Sequence, residues 1–202
     1  MLEIYFETIY SVTSDWPMTI ILGTLSARTL LITPLQLAIK SRLRRYESIQ
    51  PILQSVTASH SLSLAKKSNL RKDLYLNYNC SPLKTIGIAG AQLPLFVGMS
   101  YSIQQILSNT TNTEFLWLQN LAVSDPSFIL PIMLSATHLV NVSAFNPLSS
   151  RASKRLGYFI SLAMIPISAY IPSGILLYWI TSAFHAFATN VFSHLKQLCS
   201  MN

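Results

Sequence analysis

The chain has few charged residues: Asp, Glu, Lys and Arg make up 10% of its 202 residues, whereas hydrophobic residues make up 50%. Soluble domains carry about a quarter charged residues, so this scarcity excludes an ordinary soluble domain and favours a polytopic membrane protein. The net charge of +7 would by itself suggest nucleic acid. Because the cations cluster in a few stretches between apolar segments, they fit membrane topology instead, and we expect no nucleic-acid partner.

Cysteine and glycine are also scarce. Cys80 and Cys199 lie far apart and outside any CxxC, which excludes a disulfide framework and a zinc knuckle. Six glycines provide neither GxGxxG nor a phosphate-cradling loop. The four histidines lack ligand spacing; they are His60, His138, His185 and His194. We therefore predict no metal, no cofactor and no enzyme of the hydrolytic or nucleotide-dependent kind.

Five apolar stretches predict an all-α membrane protein with five transmembrane helices, in one domain over residues 1–202. The first residues are acidic and contain no basic n-region, so we expect neither a signal peptide nor a transit peptide; a targeting segment is absent, removed or replaced by internal signals. The predicted segments are an interfacial segment 1–15, spans 16–39, 83–107, 127–145, 156–171 and 174–193, and a basic stretch 40–81 after the first span. The basic stretch has helical periodicity and predicts a helical hairpin outside the bilayer, with a solvated charged loop as the alternative.

The distribution of charge predicts the orientation. With five spans and the amino terminus outside, every Lys and Arg except Arg28 falls on one side of the membrane. Five of the acidic residues fall on the other side; they are Glu3, Glu7, Asp15, Glu114 and Asp125. The positive-inside rule then places the carboxyl terminus inside.

Arg28 lies near the middle of the first span, where a cation costs roughly 2.5–3.5 kcal/mol or more. No Asp or Glu occurs in any predicted span, so no fixed carboxylate is available there. One reading is a structural arginine that snorkels or is solvated by water. The other is a hydrated groove for an incoming chain, with Thr24 on the same helix face. Polar residues from other spans would line it; they are Gln92, Gln104 and Asn141.

Four ordered motifs carry a resemblance to a known family. Residues 24–35 read TLSARTLLITPL, and a basic stretch leads to Gln50-Pro51. Residues 116–126 read LWLQNLAVSDP and are followed by Leu130-Pro131, and residues 171–182 read IPSGILLYWITS. This pattern resembles the YidC/Oxa/Alb membrane protein insertases over essentially the whole chain. Asn120 and Ala183 stand where the family commonly has Asp and Asn.

The resemblance implies a five-span insertase without a covalent step, whose groove opens to the inner side and to lipid. Arg28 would be the groove arginine, the hairpin would help to capture the client, and the client's hydrophobic segment would leave past Tyr178 and Trp179. The implied partners are the lipid bilayer and newly made membrane proteins. Some branches of the family dock on ribosomes through a long basic tail, whereas the end of this sequence is short and carries one cation, Lys196. We therefore expect no ribosome docking through the carboxyl terminus, and this favours the mitochondrial branch for cytochrome c oxidase assembly, with the second oxidase subunit as client.

That branch implies the mitochondrial inner membrane, with the amino terminus in the intermembrane space and the carboxyl terminus in the matrix. A bacterial plasma membrane or a thylakoid membrane is the alternative location. Two other functions remain open at this point: a small-solute transporter and a structural subunit of a membrane complex. The chain lacks inverted repeats and acidic relay residues within its spans, which counts against a transporter.

Overall fold

The structure, a computed structural model, describes residues 2–59, 63–110, 113–145 and 151–199. This part of the chain consists of α-helices joined by turns, with no β-strand beyond two isolated bridges. The helices are α1 (Leu2–Thr13), α2 (Trp16–Ala27), α3 (Thr33–Ala58), α4 (Leu64–Asn77), α5 (Pro82–Gly90), α6 (Leu93–Ser108), α7 (Ile129–Phe145), α8 (Arg151–Ser168) and α9 (Ser173–Cys199). A π-helical segment, Arg28–Ile32, joins α2 to α3. The predicted all-α class is confirmed.

Three described helical stretches are long and apolar enough to cross a membrane: Trp16–Ala58, Pro82–Ser108 and Ser173–Ser193. A fourth, Ile129–Ala144, is apolar but shorter. These stretches support the polytopic membrane protein, and the count of five spans stays a prediction.

Helix ends follow the local sequence. The Asp15 carboxylate accepts a hydrogen bond from the Met18 backbone N–H at 3.2 Å, so it caps α2, and Pro17 occupies the first turn. The second predicted span, 83–107, is divided at residues 91–92. Helix α5 ends at Gly90, and Pro94 lies in the first turn of α6, where its missing N–H costs no helical hydrogen bond.

The other boundaries differ from the predicted segments mainly at helix ends. Helix α8 begins at Arg151 and ends at Ser168, earlier than the predicted fourth span, and α9 continues to Cys199. The predicted turn of the hairpin includes His60, which lies outside the described residues, as do residues 146–150 of the predicted loop between the third and fourth spans.

The chain forms two compact units. The first comprises Met1–Leu30 and Phe96–Asn202, in which α2 contacts α1 and α9, and α7 contacts α8 and α9. Its fully buried side chains include Phe6, Ile20, Met99, Leu107, Leu121, Leu134 and Leu176. The core of this unit thus draws on α1, α2, α6, α7 and α9.

Helix α1 packs on α2 at Gly23. A Cβ at this position would lie 2.8 Å from a ring carbon of Phe6, so glycine is needed for the close approach. The Tyr5 hydroxyl donates to the Gly23 carbonyl at 2.7 Å and lies 2.6 Å from the Ser26 hydroxyl. These contacts fix α1 against the helix that leads to Arg28.

Asp125 holds together residues 117–130, in the segment between α6 and α7 and at the start of α7. Its carboxylate accepts hydrogen bonds from the Leu130 N–H (2.8 Å), the Ser127 N–H (3.0 Å) and hydroxyl (2.5 Å), and the Trp117 indole N–H (3.3 Å). The start of α9 docks on the same segment, since Ser173 N–H donates to the Val123 carbonyl and Gly174 N–H to the Leu121 carbonyl.

The second unit, Leu31–Leu95, contains the helical hairpin of α3 and α4, followed by α5. Its small core consists of Ile49, Leu53 and Cys80, with Tyr46, Leu74 and Tyr75 packed against it. The Tyr46 and Tyr75 rings stack with centroids 6.2 Å apart. Arg42 donates to the Asn79 side-chain oxygen at 3.0 Å and ties α3 to the end of α4.

Candidate functional site

Arg28 is the first residue of the π-helical segment at the end of α2. Pro34 lies six residues further on and cannot donate a backbone hydrogen bond, so the regular α-helical pattern cannot continue unchanged through this region. Single turns of π-helix inside α-helices are often found at functional sites. The helical geometry thus changes at Arg28, the one cation of the predicted first span.

Tyr178 on α9 is a partner of the Arg28 guanidinium. Its phenol forms a side-chain hydrogen bond with Arg28 and lies next to the Ser182 hydroxyl one turn later. The Tyr178 side chain is 3% exposed, and its ring contacts Phe96 with centroids 5.4 Å apart. A neutral hydroxyl is therefore among the partners of this cation.

A cavity of about 300 Å³ lies beside this pair within the first unit. It is lined by Arg28, Phe96, His138, Met164, Trp179, Ser182, Ala183 and Ala186. Its wall combines one cation with apolar and weakly polar side chains and contains no carboxylate. We call this cavity the Arg28 groove. An arginine in such surroundings attracts acidic or polar groups and still leaves apolar surface for a hydrophobic segment.

Trp179 is fixed on the wall of the Arg28 groove. Its indole N–H donates to the Ser100 hydroxyl on α6 at 3.2 Å, and its ring lies 5.5 Å from that of Phe96. The indole thus has its polar group satisfied inside the protein and presents an aromatic surface to the groove.

Two histidines lie close to the arginine. The Thr29 hydroxyl is 3.2 Å from His185 Nε2, and His185 lies near enough to Arg28 for their charges to interact. His185 Nδ1 is buried and has no hydrogen-bond partner among the described residues. His138 lies on the groove wall itself. No cluster of three or more His, Cys, Asp or Glu with metal-site geometry occurs in the described part of the chain.

Asn141 lies behind the groove wall, between α7 and α9. Its amide donates to the carbonyls of Thr137 at 3.1 Å and Ala183 at 3.3 Å, and its oxygen accepts from the Asn190 amide at 3.3 Å. Because Ala183 is a lining residue, Asn141 supports the groove through the backbone of α9.

Of the seven predicted groove residues, Arg28 and Trp179 line the cavity, and Tyr178 and Asn141 contact its lining residues. The other three do not line the cavity. Thr24 is fully buried, and its hydroxyl donates to the Ile20 carbonyl at 2.6 Å. Gln104 on α6 is exposed. Gln92 lies between α5 and α6 in the second unit and is half-buried.

Sequence reasoning missed the roles of several side chains near Arg28. Residue spacing does not predict that His138 and His185 lie near Arg28, nor that Thr29, Ser182, Phe96 and Met164 do. One signal was available: Ser182 follows Tyr178 by four residues, so the two share a face of α9.

The family follows from comparison with known proteins. The model of the family described as 60Kd inner membrane protein matches residues 8–198, nearly the whole chain. The chain belongs to this family. The resemblance to the YidC/Oxa/Alb insertases that the motifs indicated is thereby confirmed.

Proteins similar to this chain include mitochondrial ones. The cytochrome c oxidase assembly protein cox18 of Schizosaccharomyces pombe is 31% identical over 81% of this chain and 85% of its own length. COX18 of Homo sapiens is 26% identical over 91% of this chain and 67% of its own length. The membrane protein insertase YidC of Ectopseudomonas mendocina is 24% identical over 87% of this chain and 30% of its own length.

A solved structure shows the same fold. The crystal structure of an active YidC insertase superposes with a TM-score of 0.66 at 19% identity and covers 93% of this chain. This chain corresponds to 44% of that protein, so it spans the shared helical part and less than half of the whole YidC chain.

Proposed function

We propose that this chain is a membrane protein insertase of the mitochondrial inner membrane that moves hydrophilic segments of client proteins through the Arg28 groove. The observation that carries the proposal is the partly buried Arg28, hydrogen-bonded to Tyr178 beside a cavity of about 300 Å³ whose lining contains no carboxylate. Membership of the 60Kd inner membrane protein family supports it.

The physical task is to lower the cost of placing polar groups at membrane depth. A charged side chain in hydrocarbon costs several kcal/mol, because water and counter-charges are absent there. In the Arg28 groove, an acidic side chain of the client meets a cation, which interacts more strongly with it at low dielectric than in water. The client passes through without any covalent step.

Release requires that the client bind weakly. The phenol of Tyr178 already occupies part of the hydrogen-bonding capacity of Arg28, and the neutral groove wall adds no second charge for an acidic group to grip. The hydrophobic segment that flanks the polar loop leaves sideways past the aromatic surface of Trp179. The proposed clients are newly made inner-membrane proteins, with the second cytochrome c oxidase subunit foremost, since mitochondrial relatives carry oxidase assembly in their names.

The test compares Arg28→Lys, Arg28→Ala and Arg28→Glu in cells whose own insertase is deleted. The clients carry identical hydrophobic segments with either an acidic or an uncharged exported tail. We expect export of the acidic tail to fall in the order native, Lys, Ala, Glu, with at least about a tenfold loss for Glu, because a like charge at low dielectric costs more than 1.4 kcal/mol.

The matched control is Arg155→Ala, which removes an exposed arginine on α8 outside the groove and should leave export unchanged. Equal export of the acidic tail by Arg28→Ala, Arg28→Glu and the native chain would refute the role of the groove charge. Substrate-dependent solute flux in proteoliposomes, with normal export in the variants, would favour a transporter.

A further inference from the structure

A second cavity, of about 370 Å³, lies in the helical hairpin of the second unit. Helix α4 contributes Leu64, Lys67, Ser68, Arg71, Lys72 and Tyr75, and the last turn of α3 contributes Thr57. The α4 positions follow the steps of three and four residues that define one face of a helix. One whole face of α4 therefore lines this cavity, which we call the hairpin pocket.

The hairpin pocket is strongly cationic. Lys67, Arg71 and Lys72 all line it, and no acidic residue does. Lys67 is held in place, since its ammonium group donates to the Thr57 carbonyl at 2.9 Å. Arg71 and Lys72 are exposed, and neither forms an ion pair within the described part of the chain. Like charges four residues apart destabilise a helix, so Lys67 and Arg71 gain from an added anion.

None of these cations belongs to the apolar core of the hairpin. Its core is made by Ile49, Leu53 and Cys80, with Leu74 and the stacked rings of Tyr46 and Tyr75 against them. Tyr75 belongs to both regions: its ring packs on the core and it lines the pocket. The pocket thus has one rigid aromatic wall and a rim of hydroxyl, ammonium and guanidinium donors.

We propose that the hairpin pocket binds a phosphoryl group. A guanidinium and ammonium groups beside hydroxyl donors match the several acceptor oxygens of a phosphate, and arginine binds such an anion through two parallel N–H bonds. The volume of about 370 Å³ lies in the range of small-molecule sites, roughly 300–1,000 Å³. It accommodates a phosphate ester together with the group it is attached to. The phosphate belongs either to the head group of an anionic phospholipid or to a free phosphate compound.

The test uses the full chain in phosphatidylcholine nanodiscs and two probes, inorganic pyrophosphate and short-chain phosphatidic acid. Calorimetric titration measures affinity, and hydrogen exchange of residues 57–59 and 64–75 locates binding. The double variant Arg71→Gln/Lys72→Gln removes two lining charges. The control Arg45→Gln/Lys66→Gln removes two exposed hairpin charges that do not line the pocket.

We expect at least one probe to bind saturably, to protect the hairpin amides from exchange, and to bind at least about tenfold more weakly to the lining variant. The affinity of the control variant for the probe should stay within about twofold of the native value. Binding of phosphatidic acid alone identifies a lipid head group, and binding of pyrophosphate identifies a free phosphate source. Arg28→Ala should bind like the native chain, so this result is independent of the proposed function.

Three results would overturn the proposal. The first is the absence of saturable binding by either probe. The second is an equal loss of affinity in the lining variant and the control, which means diffuse attraction rather than a site. The third is hairpin protection by an acidic peptide but by neither phosphate probe. Thermal melting of each variant checks that the hairpin stays folded.

Discussion

The Tyr178 hydroxyl is a hydrogen-bond partner of the Arg28 guanidinium. Tyr178→Phe keeps the ring and its contact with Phe96 but removes the hydroxyl. Hydrogen bonds to charged groups contribute about 1.5–3 kcal/mol, so we expect the free energy of unfolding to fall by about that amount and export of an acidic tail to fall several-fold. Denaturant unfolding and the export assay measure the two effects.

The control for Tyr178→Phe is Tyr101→Phe, because Tyr101 on α6 is 61% exposed. Its hydroxyl should be removable without a change in either measurement. Native export by Tyr178→Phe would mean that the phenol only packs beside Arg28.

Asp125 makes the stability of the segment between α6 and α7 depend on pH. Burial alone would raise the pKa of this carboxyl, but hydrogen bonds from Ser127, Leu130 and Trp117 outweigh burial and hold the pKa below its ordinary value. The stabilisation is fully present above the unfolded pKa of about 3.9. It is lost as pH falls through the lower folded pKa, because protonation removes acceptors that these donors need.

We therefore expect the fluorescence of the native chain, to which Trp117 contributes, to stay constant down to about pH 4 and to change below it. Asp125→Asn should lower the free energy of unfolding at neutral pH by about 1–3 kcal/mol, because buried donors lose their charged partner. Glu114→Gln is the control, because Glu114 is an exposed acid in the same segment. It should change neither the fluorescence below about pH 4 nor the free energy of unfolding. An acid transition that persists unchanged in Asp125→Asn would rule out this carboxyl as its cause.

Single residues of the groove were predictable where chemistry alone marked them. Arg28 stood out as a cation in an apolar span, and Tyr178 and Trp179 belong to a recognisable motif. The direction of a polar side chain was not predictable, because it depends on the rotation of each helix about its axis. Gln104 is exposed. The Thr24 hydroxyl donates its hydrogen bond to the Ile20 carbonyl, as hydroxyls within helices commonly do. The position of His138 on the groove wall likewise depends on the rotation of α7 about its axis.

At the scale of elements, the docking of α9 on the segment before α7 depends on Gly174. A Cβ at Gly174 would lie 2.2 Å from a methyl carbon of Leu107 and 3.4 Å from the Leu121 carbonyl oxygen. Leu107 is itself buried and cannot move aside freely. We expect Gly174→Ala to destabilise the protein by about 1–3 kcal/mol, the usual cost of overpacking, measured as a lower melting temperature.

Gly87 offers the matched control, since a Cβ there meets nothing within 4 Å. Gly87→Ala replaces a glycine inside α5 by a better helix former and should leave the melting temperature equal or higher. A Gly174→Ala chain as stable as the native one would mean that α9 can shift on the segment.

The sequence predicted most helices correctly in type and failed mainly at their ends. Apolar length and charge predicted α2, α6, α7 and α9, and the helical periodicity of the basic stretch predicted α3, whose buried face contains Ile49 and Leu53. Pro94 and Pro34 indicate interruptions of the second and first predicted spans, and the structure has a division at residues 91–92 and a π-helical segment from Arg28. Their exact position and geometry were not predictable, because helix pitch near a proline depends on which nearby groups accept the freed hydrogen bonds.

At the scale of the whole molecule, the number of spans is the open prediction. Helices α7 and α8 have 17 and 18 residues, or about 25–27 Å at 1.5 Å per residue, just short of a hydrocarbon core of about 30 Å. A chain with three spans and one with five both place the amino terminus outside and the carboxyl terminus inside. They differ at residue 155: it lies inside if α7 and α8 cross and outside if they do not.

The cations at Arg151, Lys154 and Arg155 favour the inner side, so we expect Arg155→Cys to react only with reagent that has crossed the membrane. The background is Cys80→Ser/Cys199→Ser, and reactivity is measured with an impermeant maleimide before and after permeabilisation. Lys66→Cys and Glu114→Cys, both exposed, calibrate the inner and outer sides in either arrangement. Labelling of residue 155 from outside, together with the expected labelling at 66 and 114, would reduce the count to three spans.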